Sequence, residues 1–320
     1  MTADFPVDLV VLWVNGNDSS FVRERNAWAA RLGVPVEPAR FVQTDELRYV
    51  LRSVEKFLPW ISRVLLVTNG QVPPWLNSHH PRLKILPHHA FMPPECLPTF
   101  NSCAISIGVS RWPGLAEHYL LANDDTFVWS SLPKEYFFPK KGHVRNYYTF
   151  YPRKNYVDSS YGRQLLHIVQ ELSRVFPNKR FPLEPFHNIQ GYLKSSTSLS
   201  WQLFNALLTC TLHSRFRKED NLNCYFFAGV AAACGQAEWH ATRQSRFLKS
   251  DAGVWELWQN YTREIKKYAP RLVCLNDSKQ CRDEDRRELQ RYLQRVFAQA
   301  SSFEISNKEA QNAEALRDVV

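Results

Sequence analysis

Two apolar runs in this chain end in acidic turns, where a strand would deliver carboxylates to one edge of a sheet. Asn123-Asp124-Asp125 follows the run 118–122 and precedes Thr126-Phe127-Val128-Trp129. Adjacent carboxylates placed there can hold Mg²⁺ or Mn²⁺ and leave positions open for diphosphate oxygens. Asn276-Asp277 repeats the pattern after the run 271–275. Alone it reads as an Asx turn; with Asp124 and Asp125 it completes one metal site, because a single carboxylate rarely holds a cation tightly. His187 lies between a Pro-rich loop and the next expected helix, and imidazole is the natural proton acceptor near neutral pH. Arg215-Phe216-Arg217 offers guanidinium groups, which grip phosphate oxygens in pairs and offset charge on a transferred phosphoryl group. Arg48 and Arg52 share a helix face at i, i+4, an unfavourable pairing unless something acidic compensates.

The elements that must position these groups alternate strand and helix in the first half. Residues 7–14 form an almost continuous β-prone run closed by the turn cluster Asn15-Gly16-Asn17-Asp18. Helical spacing follows at 21–31 and 45–58, strands at 63–68 and 83–86, a helix at 99–111 and a strand at 118–122. Strands buried on both faces and alternating with helices predict an α/β fold, a mainly parallel sheet with helices on both faces. Ligands bind such sheets beyond the carboxyl ends of the strands, and three of those ends here are polar turns: Asn15-Gly16, Asn69-Gly70-Gln71 and Asn123-Asp124-Asp125. The second half reads as mostly helical, at 162–176, 198–212 and 221–234. A short strand at 271–275 and an amphipathic helix at 283–300 follow, then a polar tail from Ser306. The expected organisation is one architecture with no linker: residues 1–278 with an α/β part to about 150 and a helical part after it, then a helical extension over 279–320.

Composition narrows the class. At 44% apolar and 22% charged, the chain of 320 residues has ordinary globular content. No stretch reaches the roughly 18 apolar residues of a membrane helix, and the first residues lack the pattern of a secretory signal. The formal charge of +9 sits mostly after Phe150, yet its arginines are interleaved with acids, as in Arg282-Asp283-Glu284-Asp285-Arg286, which reads as a solvated helix face and leaves nucleic acid unneeded as a partner. The seven cysteines are odd in number and form no C-x-x-C, so reduced thiols of a cytosolic protein are expected. The helix at 283–300 is expected to pack on the domain, the alternative being contact with a membrane or a partner protein.

Taken together, the motifs resemble those of the Stealth family of sugar-1-phosphate transferases, which includes bacterial capsule-polysaccharide phosphotransferases. Asp8-Leu-Val-Val-Leu-Trp-Val-Asn-Gly-Asn-Asp18 resembles the family's first region. The second, about 45–127, contains Glu46-Leu-Arg-Tyr, Val67-Thr-Asn-Gly-Gln71, Leu97-Pro-Thr-Phe-Asn-Ser102 and Asn123-Asp-Asp125. Phe186-His187 through Arg215-Phe-Arg217 resembles the third, and Val273-Cys-Leu-Asn-Asp277 the fourth. Asn15 and Asn69 stand where the family usually carries Asp, which removes negative charge near the implied site.

The resemblance implies a nucleotide-sugar-binding domain of the GT-A glycosyltransferase type and transfer of a sugar 1-phosphate from a nucleotide-diphosphate sugar to a glycan hydroxyl, assisted by Mg²⁺ or Mn²⁺. By the same resemblance Trp13, Asn15 and Gly16 line the nucleotide pocket, and Arg48, Asn101, Ser102 and Arg215 help to hold the donor. Asp124, Asp125 and Asp277 handle metal and diphosphate, Arg217 binds the phosphoryl group, and His187 takes the acceptor proton. The missing signal suggests the cytoplasm, and capsule synthesis suggests work at the inner face of the membrane with the capsule-synthesis machinery. A glycosyltransferase releasing nucleoside diphosphate and a non-catalytic glycan-binding protein are the alternatives.

Overall fold

The structure is a computed structural model that describes residues 5–148, 158–182, 185–249, 262–263, 266–267, 269–277 and 280–305. Its centre is a five-stranded sheet in the order β3-β2-β1-β4-β7, formed by β1 (Val7–Leu12), β2 (Arg63–Thr68), β3 (Leu83–Pro87), β4 (His118–Asn123) and β7 (Gln190–Leu193). The first four strands are parallel, and β7 closes the edge antiparallel to β4. All six residues of β1 are buried, so the strand is apolar on both faces, as its continuous run requires. Alternation divides it. Val7, Leu9 and Val11 pack with Leu47, Val50 and Leu51 of α2 (Glu46–Phe57). Val10 and Leu12 face Ile107 of α3 (Ser102–Val109), Leu165 and Ile168 of α4 (Ser160–Val175) and Phe226 of α6 (Cys224–Ala233). The expected α/β layering holds.

The helix expected at 99–111 is shorter. Asn101 caps it by accepting from the Cys103 amide at 3.0 Å, which leaves Thr99 and Phe100 extended ahead of the first turn. The second half keeps its helices, α4, α5 (Lys194–His213) and α6, and the chain adds short strands that the pattern reading did not name. β6 (Val144–Tyr148) pairs with β8 (Ala237–Ala241), and β10 (Leu272–Asn276) lies between β9 (Ser245–Lys249) and β5 (Thr126–Val128). α1 (Ser19–Leu32) flanks the first strand turn. The polar tail expected from Ser306 lies outside the described residues.

The C-terminal helix α7 (Asp283–Val296) packs on the domain. Leu289, Tyr292, Leu293, Phe297 and Phe303 join the core on the α2 side. The acid that relieves the Arg48–Arg52 pair is Glu304. Arg52 grips both of its carboxylate oxygens at 2.7 Å and reaches the Phe297 carbonyl at 2.7 Å. That carboxylate is nearly buried, so Arg52→Ala is expected to destabilise the fold by about 3 kcal/mol, read as a lower urea midpoint at unchanged slope.

Two buried histidines tie stability to pH. His118 stacks on Phe5 at 3.8 Å and accepts from the Gly142 amide at 2.9 Å. Burial, with Lys141 and Lys134 nearby, pushes its pKa down to about 4. Burial, with His89 beside it, does the same to His88. Between the ordinary value of 6.5 and about 4 the unfolded chain takes up protons that the folded chain refuses. The Tm is therefore expected to fall through that window on acidification, and His118→Gln, which keeps an acceptor but cannot titrate, flattens the slope.

Candidate active site

The register brings the three polar strand ends together, because Leu12 at the end of β1 pairs with Val67 on one side and Asn123 on the other. The Asn15 amide donates to Gln71 Oε1 at 2.7 Å, and Gln71 Nε2 returns a bond to the Asn15 carbonyl at 3.2 Å, so the first two turns are laced. Gly16 sits hard against the backbone of Phe41. A Cβ there would lie 1.7 Å from the Phe41 carbonyl oxygen, so no other residue lets the segment before α2 cross the β1 end this closely. That segment carries Gln43, which accepts from Trp13 Nε1 at 2.8 Å and donates to Asp124 Oδ2 at 2.7 Å. One amide thus joins the end of β1 to the acidic turn after β4.

Asp125 is the hub. Its carbonyl accepts from the Leu275 amide at 2.9 Å, which sews the turn to β10. Its Oδ2 accepts from Asn276 Nδ2 at 3.1 Å and from the Cys274 thiol at 3.4 Å. Its Oδ1 is buried and has no hydrogen-bond partner among the described residues. Glu46, at the start of α2, accepts from the Thr44 amide at 2.8 Å and from its hydroxyl. Burial raises the pKa of Asp124 to about 8, helped by the negative charges of Asp125 and Glu46. Burial likewise raises Glu46, with Asp125 adding to the effect. Three carboxylates crowded in this way are an arrangement that a cation relieves.

His187 stands edge-on to Phe247, with ring centroids 5.5 Å apart, and to Tyr161 at 6.0 Å. Burial lowers its pKa against the pull of Asp125, and Arg217 lowers it further, so the ring is held neutral. Arg217 is exposed and donates to the Ser102 hydroxyl. Trp13, Asp124, Asp125, His187, Ser102 and Arg217 therefore gather around the carboxyl edge, beside Gln43 and Glu46.

Other residues expected there are engaged elsewhere. Arg48 pairs with Asp45 at 2.9 Å and lies over Trp75. Arg215 donates to the Pro98 and Glu95 carbonyls at 2.6 and 3.0 Å and lies over Trp28. Asn101 is fully buried and donates to the Ser214 carbonyl and to Asn221 Oδ1, both at 2.8 Å. It clamps the loop that presents Arg217. Asp277 pairs with Arg286 of α7 at 2.9 Å. Gln43 is not foreseen, and Glu46, Cys274 and Asn276 stand in the motifs without a role of their own. Strand parity held the signal for the last two, because residues 274 and 276 of β10 share one face.

Fold and site together define an α/β protein whose sheet edge gathers carboxylates, a neutral imidazole and a guanidinium. Residues 40–146 match the model of Stealth protein CR2, conserved region 2. The chain is 32% identical over 240 residues to the capsular polysaccharide phosphotransferase CpsJ of Streptococcus thermophilus, covering 70% of this chain and 94% of that one. It is 30% identical over 278 residues to the exopolysaccharide phosphotransferase cps2G of Lactiplantibacillus plantarum, covering 83% and 78%. The chain belongs to the Stealth family. A match to the exopolysaccharide phosphotransferase SCO6023 of Streptomyces coelicolor reaches 42% identity over 147 residues, 45% of this chain but only 25% of that longer protein. A galactosyltransferase, LgtC in complex with donor and acceptor sugar analogues, aligns over 94% of this chain and 98% of its own with a TM-score of 0.45 at 8% identity. Among the described residues no helix is long and apolar enough to cross a membrane.

Proposed function

We propose that this chain transfers a sugar 1-phosphate from a nucleotide-diphosphate sugar to a glycan hydroxyl, forming the phosphodiester of a capsular or extracellular polysaccharide. The observation that carries the reading is the meeting of Asp125, His187 and Arg217 at the sheet edge, in a chain related to named phosphotransferases. The acceptor oxygen attacks the phosphorus nearer the sugar, His187 takes the hydroxyl proton, and the bond to the nucleoside phosphate breaks. Nucleoside monophosphate leaves, and the anomeric C–O bond stays whole. Arg217, steadied by Ser102, offsets charge on the phosphoryl oxygens. Trp13 supplies a flat indole where the nucleotide base would lie.

The crowded carboxylates and the unpartnered Asp125 Oδ1 fit an oxygen-seeking cation such as Mg²⁺ or Mn²⁺, which Asp124 and Asp125 would hold and which would neutralise the diphosphate. Asp277, held by Arg286, is the less suited third ligand. The same reading sets the chain to work in the cytoplasm, at the inner face of the membrane beside the capsule-synthesis machinery. A panel of nucleotide sugars with a polysaccharide acceptor, read by phosphorus NMR, tests it. A phosphodiester resonance with release of nucleoside monophosphate is expected. Release of nucleoside diphosphate with a phosphorus-free glycan overturns the reading.

A further inference from the structure

The geometry points to a second cation site inside the active centre, where Asp125, His187 and Cys274 bind a thiophilic divalent ion of the Zn²⁺ class that shuts the enzyme off. One ligand atom of each residue lies within 4.8 Å of the others. The three arrive on separate elements: the turn after β4, the loop before β7, and β10. The antiparallel register puts Cys274 opposite Thr126 and so beside Asp125, and Tyr161 and Phe247 flank the His187 ring edge-on.

The donor set decides the ion. Mg²⁺ takes oxygens and keeps much of its water. Carboxylate, imidazole and thiolate together suit Zn²⁺ and its analogues Co²⁺ and Cd²⁺. Ligand atoms around a tetrahedral zinc lie about 3–4 Å apart, so a small inward movement of the side chains closes the set. Three protein ligands leave the fourth position open. Asp125 is prepared for this role: Asn276 orients its Oδ2, and Oδ1 is buried with lone pairs unused, the arrangement in which an outer partner aims a ligand. Cys274 is fully buried. Its thiol donates to Asp125 Oδ2 at 3.4 Å. When the ion binds, the thiol proton passes to solvent and the sulfur joins the metal.

The binding stands apart from the proposed transfer, but the shut-off rests on it. A ring nitrogen bound to metal has no lone pair for the acceptor proton, and an Asp125 oxygen committed to Zn²⁺ is withdrawn from Mg²⁺. The soft and hard ions therefore exclude each other at Asp125.

Titration of the full chain with Co²⁺ reads the site directly, because a thiolate ligand gives a sulfur-to-cobalt charge-transfer band and a tetrahedral site gives intense visible bands. One Co²⁺ per chain is expected, bleached by Zn²⁺. Cys274→Ser should remove the charge-transfer band. His187→Asn should keep it but weaken affinity by at least about tenfold. The double variant Cys210→Ser/Cys234→Ser, which removes the two exposed thiols, should leave the spectrum unchanged. In the transfer assay the Zn²⁺ concentration for half-inhibition should rise at least about tenfold in Cys274→Ser. A wild-type chain without the band, or a band that survives Cys274→Ser, overturns the site. Should the serine variant misfold, an unchanged Co²⁺ affinity in His187→Asn overturns it as well. A band with no transfer from any donor leaves the cation site standing and sinks the transferase reading instead.

Discussion

Arg217→Ala is expected to lower kcat by about 10³-fold, the scale on which an arginine stabilises a transferred phosphoryl group. Its guanidinium is exposed and its hydrogen bond goes to Ser102, on a neighbouring helix terminus. Nothing in the core leans on it, so the Tm should stay within a degree or two of wild type, as for other surface substitutions. Arg217→Lys keeps the charge and loses the planar fork, and should recover only part of the rate. Single-turnover kinetics at saturating donor separate the phosphoryl step from binding. A loss below tenfold in kcat, with the deficit in KM, would move Arg217 from the reacting phosphorus to the remote part of the donor. Arg215→Ala makes the contrast. Its guanidinium holds the Pro98 and Glu95 carbonyls, so its removal acts by loosening that loop.

His187→Ala should cost kcat a factor of about 10²–10⁴, the usual contribution of a positioned general base. The ring is flanked edge-on by Tyr161 and Phe247, and burial holds it neutral, so it waits in the form that accepts a proton. The effect should fall on the acceptor half of the reaction. Donor affinity, measured by titration calorimetry with the nucleotide sugar alone, should change little, whereas transfer collapses. Equal losses in donor affinity and rate would make His187 a donor-holding group.

The candidate site was legible where side chain and strand end coincide. Asp125 follows an apolar run whose burial the sequence announces, and a continuous run such as Val7–Leu12 has few alternatives. What escaped depends on pairing across long stretches of chain. Asp277 and Cys274 are three residues apart, so opposite strand faces separate them, and only the register of β10 against β5 shows that the Cys274 face meets Asp125. β6 and β8 escape a reading by pattern because each has a single ladder partner and mixes charged with aromatic residues, leaving no clean alternation. Gln43 is a polar residue in a segment without periodicity. Its importance comes from Gly16 allowing Phe41 to pass so near the β1 end. The need for an acid beside Arg52 is visible in the helix spacing, but not that Glu304, 252 positions away, supplies it.

That separation bears on how the protein is made. The helix that begins with Glu46 and carries Arg52 emerges early in synthesis, and its outer face finds Phe297, Phe303 and Glu304 only when the last of these has left the ribosome. Until then α2 holds Arg52 without the Glu304 carboxylate beside a bare apolar strip, and closing so long a loop is slow relative to local helix formation. The candidate site edge, which needs Cys274 and Asn276 beside Asp125, is likewise completed late, and the nascent chain has most need of a chaperone's cover on the α2 side until Glu304 is made.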